Sequence, residues 1–448
     1  MVTLNSDSQK VFNELVDKLS KGFSDLPDAT LSFDDPGKIL SVLNTVSEKL
    51  HDNYPYFHPL YAGQMLKPPH PVARMAYSLA MFINPNNHAL DGGRASSQME
   101  KEAVQEIASM FGWKNYLGHL TGGGTMANLE ALWVAGQINP GKKILASEQA
   151  HYTHNRISKV LHLDFESVEC DGTGRMNINS LEKKLSEGNV GAVVVTMGTT
   201  ATGSIDPLKE ILELKKKYNF RIHADAAYGG YFVLSDILSE ETKRNYELIT
   251  EVDSIVIDPH KHGLQPYGCG CVLFNDPSVG KFYKHDSPYT YFSSEELHLG
   301  EISLECSRPG ASAVALWATQ KLFPLIREGE FSSMLDKCRN AALKLYSLLK
   351  NDEKFVTAFE PELDIVIWIP KTNSLSESSI FSKKIFDEAA KKNLHLALAE
   401  LPSKFFDLEP AGMKKDKETV TCLRSVLMKP EHLEWVDEIY RILCNSLK

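Results

Sequence analysis

The sequence predicts an α/β fold: a mostly parallel sheet with helices on both faces, followed by a smaller α+β unit. Two patterns predict it. From residue 100 to about 283, apolar runs such as Gly191-Ala192-Val193-Val194-Val195-Thr196 alternate with segments of helical spacing, the mark of repeated βα units. After Pro309-Gly310 the alternation gives way to long helical patterns and separate apolar strands.

Taken in order, Val11, Phe12, Leu15, Val16 and Leu19, then Ile39, Val42, Leu43, Val46 and Leu50, predict two amphipathic helices outside the main sheet. They would either cap the core or bury a subunit contact. The stretch 54–63 and the run Lys67-Pro68-Pro69-His70-Pro71 are too rich in proline and aromatic residues for regular structure. They predict an ordered loop, a pocket wall or a packed crossing.

Helices are then predicted over 102–111, 126–135, 152–161 and 207–218, and strands over 143–147, 191–196, 220–225 and 254–257. A return strand follows within 268–274. Beyond residue 310, helices are predicted over 311–322, 331–349 and 433–443, and strands over 363–369, 394–398 and 420–427. The implied division is an N-terminal helical segment (1–60), a large α/β domain (61–310) and a small C-terminal α+β domain (311–448).

The chain has 448 residues, 43% hydrophobic and 24% charged, enough for a large core. A formal net charge of −10, with no long basic stripe, argues against nucleic-acid or anionic-membrane binding. The densest basic run, Lys215-Lys216-Lys217, reads as a solvated helix end. Seven cysteines without a framework spacing suggest reduced thiols, and Cys269-x-Cys271 reads as packed rather than metal-binding. The N-terminus has neither a basic start nor an apolar core, and no run of about 18 apolar residues occurs. A cytoplasmic protein that does not span a membrane is expected.

The run Ser254-Ile255-Val256-Ile257 ends in Asp258-Pro259-His260-Lys261, which puts Lys261 just past a strand's carboxyl end, where open α/β sheets gather ligands. Desolvation there would favour a neutral, nucleophilic amine, so Lys261 is a candidate Schiff-base lysine. Thr121-Gly122-Gly123-Gly124-Thr125 opens a helix and reads as a phosphate cradle or a plain glycine turn; Met126-Ala127 excludes a Walker loop. Asp225, at a strand end before Ala226-Ala227-Tyr228-Gly229-Gly230, is a carboxylate in want of a cation, which a protonated heteroaromatic nitrogen would supply. His151 projects at the same edge, placed to lie flat on an aromatic ring. His154 follows at helical spacing, but without H-E-x-x-H or a third ligand a zinc site is not expected. Phosphate cradle, stacking histidine, pairing acid and Schiff-base lysine together predict pyridoxal 5'-phosphate.

These stretches, Thr121 to Leu129, Ser147-x-x-Ala150-His151, His223 to Gly230 and Asp258-Pro259-His260-Lys261, resemble the group II pyridoxal-phosphate-dependent amino-acid decarboxylases, which include aromatic-amino-acid, histidine and glutamate decarboxylases. The likeness runs from about His58 to Arg424. It implies that Gly124 and Thr125 hold the phosphate, His151 stacks on the ring, Asp225 pairs the ring nitrogen and Ala227 packs beneath it. It further implies that Thr200 approaches the ring hydroxyl, that His260 lies beside the phosphate and that Lys261 carries the cofactor as a Schiff base. The implied fold is the aspartate-aminotransferase-like (type I) fold, as a homodimer with active sites at the interface.

Two departures stand out. Only a short stretch separates Lys284-His285 from Glu295, shorter than the mobile loop of many relatives, so the loop proton donor falls between Tyr289 and Tyr291; Pro288 restrains the backbone before Tyr289 and favours it. The stretch Cys306-Ser307-Arg308-Pro309-Gly310 is also similar to sphingosine-phosphate lyases. The reading is therefore decarboxylation of an L-amino acid, aromatic favoured because Tyr54, Tyr56, Phe57, Tyr61 and Tyr77 crowd one region. The alternatives are an acidic or diamino acid substrate, or an aldehyde lyase whose second anion site would lie in the loop from Lys67 to Arg74.

Overall fold

The computed structural model describes residues 6–27, 35–88, 91–284 and 299–447. The expected N-terminal helices form as α1 (Ser6–Lys21) and α2 (Pro36–Leu50), the second started by the Asp35 side chain, which accepts the Gly37 N–H, and by Pro36 at its first turn. No residue of α2 is buried, and Leu40, Leu43 and Val46 face outward. α3 (Pro71–Met81) and α4 (Arg94–Met110) lead into the main sheet.

That sheet has seven strands. Along the chain come β1 (Leu117–Thr121), α5 (Gly124–Ile138), β2 (Lys143–Ser147), α6 (Thr153–Val160), β3 (Phe165–Val168) and α7 (Ile178–Ser186). Then follow β4 (Val190–Thr196), α8 (Leu208–Tyr218), β5 (Arg221–Asp225), α9 (Glu240–Glu247), β6 (Ser254–Ile257) and β7 (Gly270–Phe274). The spatial order is β1-β7-β6-β5-β4-β2-β3, with β7 antiparallel to both neighbours and the other pairings parallel.

β4 is buried along its whole length, which is why it reads as an unbroken Val-rich run rather than an alternation. Because β2, β4, β5 and β6 run the same way, Ser147, Thr196, Asp225 and Ile257 all end at one edge of the sheet. β1 joins them there through β7. At the end of α8, the lysines at 215 and 217 reach Asp253 and Glu182 at 2.8 and 2.7 Å, so that run is an ion-paired helix end.

The C-terminal part contains α10 (Gly310–Leu322), α11 (Glu330–Lys350), β8 (Phe355–Thr357), β9 (Ile365–Pro370), α12 (Leu375–Ala390), β10 (Ala397–Pro402), β11 (Thr419–Val426) and α13 (His432–Asn445). Its four strands form a separate antiparallel sheet in the order β10-β11-β9-β8. The strand expected over 394–398 is shifted, because His395 instead bridges to Tyr61 and ties the prolyl loop to this sheet. Seven described elements escape the sequence pattern: α3, α7, α9, α12, β1, β3 and β8. β1 carries Gly118 and a buried His119 that Glu130 satisfies at 2.9 Å, β3 is four residues long, and α12 is rich in serine although Ser374 caps it through the Glu377 N–H.

Candidate active site

The edge where the parallel strands end encloses a cavity of about 530 Å³ lined by Gly122 to Met126, Asn128, His151, Thr200, Asp225, Ala227, Asp258, His260, Lys261 and Glu305, among others. One wall is the turn from β1 to α5, whose first residue is Gly124 and whose first N–H groups face no helical partner. The turn is close-packed. Gly123 holds φ +141°, a Cβ on Gly124 would lie 2.6 Å from Asp258 Oδ2, and one on Gly270 would lie 2.5 Å from the Gly123 carbonyl carbon. Glycine is therefore required by the close approach of Asp258 and β7 to this turn, and the helix N-terminus supplies the partial positive charge an anion would meet. Thr125 stands at the same turn.

Asp225 ends β5 and is 5% exposed. Its Oδ1 accepts the Ala227 N–H at 3.2 Å, and its Oδ2 accepts His154 Nε2–H at 2.8 Å. Burial alone would push this carboxyl up, but the His154 hydrogen bond, with the Lys261 ammonium nearby, outweighs it and holds it well below the usual carboxylate range. The sequence points to a ligand as this acid's cationic partner; the chain adds a hydrogen-bond donor of its own, His154. His154 was legible only as the second histidine of a His-x-x-His pair. His151 precedes α6 and His154 lies one residue inside it, as the helical spacing predicts; what the sequence does not show is that His154 meets Asp225.

His151 lines the cavity, with Nδ1 2.7 Å from Thr153 Oγ1 and 3.3 Å from the Thr153 N–H, and burial lowers its pKa. Lys261 reaches the cavity from the turn after β6. Its Nζ lies 3.2 Å from Asp258 Oδ2 and its side chain is 20% exposed. The amine is therefore neither dry nor alone, as full desolvation would make it; it is a lysine paired with a carboxylate one turn earlier. Asp258 escaped the sequence reading as a site residue although it stands in the same motif.

His260 is held by Nδ1–H donating to the Cys269 carbonyl at 2.7 Å, with Nε2 3.5 Å from Asp258, and burial lowers its pKa. Thr200 and Ala227 also face the cavity. Glu305, another residue missed in the sequence, sits at the mouth and accepts the Gly122 N–H at 2.8 Å. All eight residues proposed from the sequence to touch a cofactor thus meet around one cavity. The loop tyrosines Tyr289 and Tyr291 lie outside the described residues.

Two expectations about the surroundings are corrected. Among the described residues lining the cavity there is no Tyr54, Tyr56, Phe57, Tyr61 or Tyr77; Tyr54, Tyr56 and Tyr61 pack on one another and Tyr54 and Tyr61 on His395, with ring centroids 4.9 to 6.3 Å apart. Lys67 turns away to the Met428 carbonyl at 3.2 Å, and neither it nor Arg74 lines the cavity, so the prolyl loop gives no second anion site there.

The cavity fits pyridoxal phosphate. It joins an anion cradle, an ionised carboxylate and an amine, and Asp258 Oδ1 and Thr196 Oγ1 are buried polar atoms on its wall with no hydrogen-bond partner among the described residues. The model of the pyridoxal-dependent decarboxylase conserved domain matches residues 130–369. The chain belongs to that family. A probable L-tyrosine/L-aspartate decarboxylase of Methanothermobacter thermautotrophicus is 31% identical over 68% of this chain and 81% of its own length. The L-tyrosine decarboxylase of Enterococcus faecium is 25% identical over 88% of this chain and 85% of its own. Among solved structures, Oryza sativa TDC with PLP and tryptamine superposes with a TM-score of 0.79 at 16% identity and full coverage of both chains. Mouse CSAD gives 0.77 at 20% identity, covering 95% of this chain and 91% of that one. The decarboxylase accordingly has the type I, aspartate-aminotransferase-like fold and is an amino-acid carboxy-lyase dependent on pyridoxal phosphate. Its relatives' names give no support to the aldehyde-lyase alternative.

Proposed function

We propose that this decarboxylase converts an aromatic L-amino acid, L-tyrosine first, to its amine and carbon dioxide. The observation that carries the chemistry is the convergence of Lys261, Asp225 and His151 from three strand ends on one cavity. The choice of substrate is supported by relatives named for tyrosine; the same relatives favour L-aspartate as the second reading. Purified, cofactor-loaded enzyme offered tyrosine, tryptophan, aspartate, glutamate and 2,4-diaminobutyrate should release carbon dioxide and amine fastest from tyrosine. Faster release from aspartate would replace the first reading by the second.

Bound in the cavity, the cofactor supplies an electron sink for the electron pair left when the carboxylate departs. The chain does the rest. Gly124 and Thr125 would hold the phosphate at the start of α5, with His260 beside it. Asp225 would keep the proton on the ring nitrogen, Ala227 and His151 would support the ring, and Thr200 would approach the ring hydroxyl. Lys261 Nζ would hold the cofactor at its carbonyl carbon, the carbonyl oxygen leaving as water, and would move protons beside it. Tyr289, with Tyr291 as the alternative, delivers the proton to the substrate's α-carbon and excludes water. Reduction of the loaded enzyme with borohydride followed by peptide mapping should place the pyridoxyl mass on Lys261, and on no other residue.

The division into a helical segment (1–60), a cofactor domain (61–310) and a small domain (311–448) is part of the same proposal. So is a cytoplasmic homodimer with its active sites at the interface. Its support is the outward apolar face of α2, where Leu43 and Val46 are 57% and 44% exposed, more than a stable monomer need present in one stripe. Among the described residues no helix is long and apolar enough to cross a membrane. A Leu43→Glu, Val46→Glu variant should elute as a monomer in light-scattering chromatography where the parent is a dimer; an unchanged dimer would place the interface elsewhere.

A further inference from the structure

We propose that His154 is a positioning residue for the cofactor: by donating Nε2–H to Asp225 Oδ2 it fixes the carboxylate's rotamer and keeps it ionised, facing the ring nitrogen. This rests on the reading that Asp225 pairs that nitrogen. The decisive geometry is in the protein alone. His154 is 0% exposed and its hydrogen bond to Asp225 measures 2.8 Å. The remaining anchor of Asp225, the Ala227 N–H to Oδ1, is longer at 3.2 Å. Without His154 one oxygen would lose its partner, and the carboxylate would be free to turn about its last torsion, a broad and soft coordinate.

The ring of His154 is itself held in place. It packs 6.4 Å from His223, whose Nε2–H donates to Asn128 Oδ1 at 2.7 Å and whose Nδ1 lies 2.9 Å from Ser254 Oγ. Burial pushes His223 down to about 3, so it does not become a competing cation beside Asp225. Among the described residues His154 Nδ1 has no hydrogen-bond partner, which leaves the Asp225 bond as the one polar contact among them that orients the ring. A carboxylate with both oxygens already engaged from the protein side still has lone pairs for a third donor. An N–H of the ring nitrogen is such a donor, and a charge-assisted bond to it is strengthened by the dry surroundings.

The test uses pyridoxal phosphate labelled with nitrogen-15 in its ring, bound to the parent and to His154→Phe, His154→Asn and His154→Gln. Glutamine's amide N–H reaches about as far as Nε2, whereas asparagine's does not and phenylalanine has no donor. The ring-nitrogen shift should be that of a protonated pyridine in the parent and in His154→Gln. It should move toward the unprotonated value in His154→Phe and His154→Asn, with cofactor dissociation constants raised about ten- to a hundredfold, by analogy with the residues that orient metal ligands. Circular dichroism checks folding, and the polar His154→Asn keeps the comparison decisive if His154→Phe does not fold. A protonated ring nitrogen and parental affinity in folded His154→Asn would overturn the proposal, as would a His154→Gln no better than His154→Asn. An unprotonated ring in the parent, or one unaffected by Asp225→Ala, would instead remove the reading of Asp225 on which it stands.

Discussion

Lys261→Ala is expected to lower amine formation by about a thousandfold or more, the scale on which positioned general acids, bases and nucleophiles act. The loss should fall on turnover rather than on folding. Lys261 stands in a turn at the sheet's edge, 20% exposed, and its one ion pair is with Asp258 at 3.2 Å, so removing it leaves the seven-stranded core untouched. The cradle at Gly124 and Thr125 also remains, and the variant should still take up the cofactor without a covalent link. Lys261→Arg should not restore activity, because a guanidinium stays charged and is no nucleophile toward a carbonyl. Amine measured by chromatography beside cofactor absorbance separates the two effects, and a variant retaining a tenth of parental turnover would remove Lys261 from its role.

Asp225→Ala is expected to cost about a hundred- to ten-thousandfold in turnover while cofactor occupancy at saturating concentration stays near that of the parent. The phosphate cradle on α5 does not depend on Asp225, whereas the ring nitrogen loses the anion that keeps it protonated. The substitution also strands His154, which is fully buried and already has one ring nitrogen without a partner. Leaving a second buried polar group unpaired costs about 1–3 kcal/mol of stability. The sign of its pH dependence follows from the depressed carboxyl of Asp225. Such a group contributes stability that is fully present above the unfolded value of about 4 and is lost only as pH falls toward the folded one. The parent's advantage over Asp225→Ala should therefore hold at neutral pH and shrink in acid. Turnover near that of the parent, with the cofactor bound, would mean that another group serves the ring nitrogen.

The residues around the cavity were legible in the sequence to different depths, for physical reasons. Asp225 and Lys261 could be placed because a parallel strand announces its own carboxyl end: the apolar run stops, and the next residue lies at the edge where ligands gather. Gly122 to Gly124 alone read equally as a plain turn; they became legible as a cradle only beside His151, Asp225 and Lys261. Asp258 and His154 were visible as letters but not as parts. Asp258 pairs with Lys261 through a turn whose shape depends on the Cys269 carbonyl holding His260. His154 meets Asp225 across 71 positions of chain, and no local pattern encodes such a meeting.

The aromatic residues show the same limit from the other side. Tyr54, Tyr56 and Tyr61 are close in sequence and do cluster, but Tyr54 and Tyr61 pack on His395, just before β10, and none of the three lines the cavity. Composition near a presumed pocket says what is abundant, not which way it points. Lys67 likewise reads as a surface cation for an anionic substrate, yet it folds back onto the Met428 carbonyl.

By itself the sequence determined the layer architecture, the strand ends that carry Asp225 and Lys261, the glycine turn and, through its motifs, the cofactor. Those features are set by periodicity and by turn residues acting over a few positions, and local sterics make them readable. Only the tertiary structure decided that β1 enters the sheet beside β7, that His154 engages Asp225, that Glu305 accepts from Gly122, and that the aromatic loop packs on His395 without lining the cavity. Each of these depends on which distant segments pack against each other. That choice is made by the burial of the whole core, not by any stretch of chain within it.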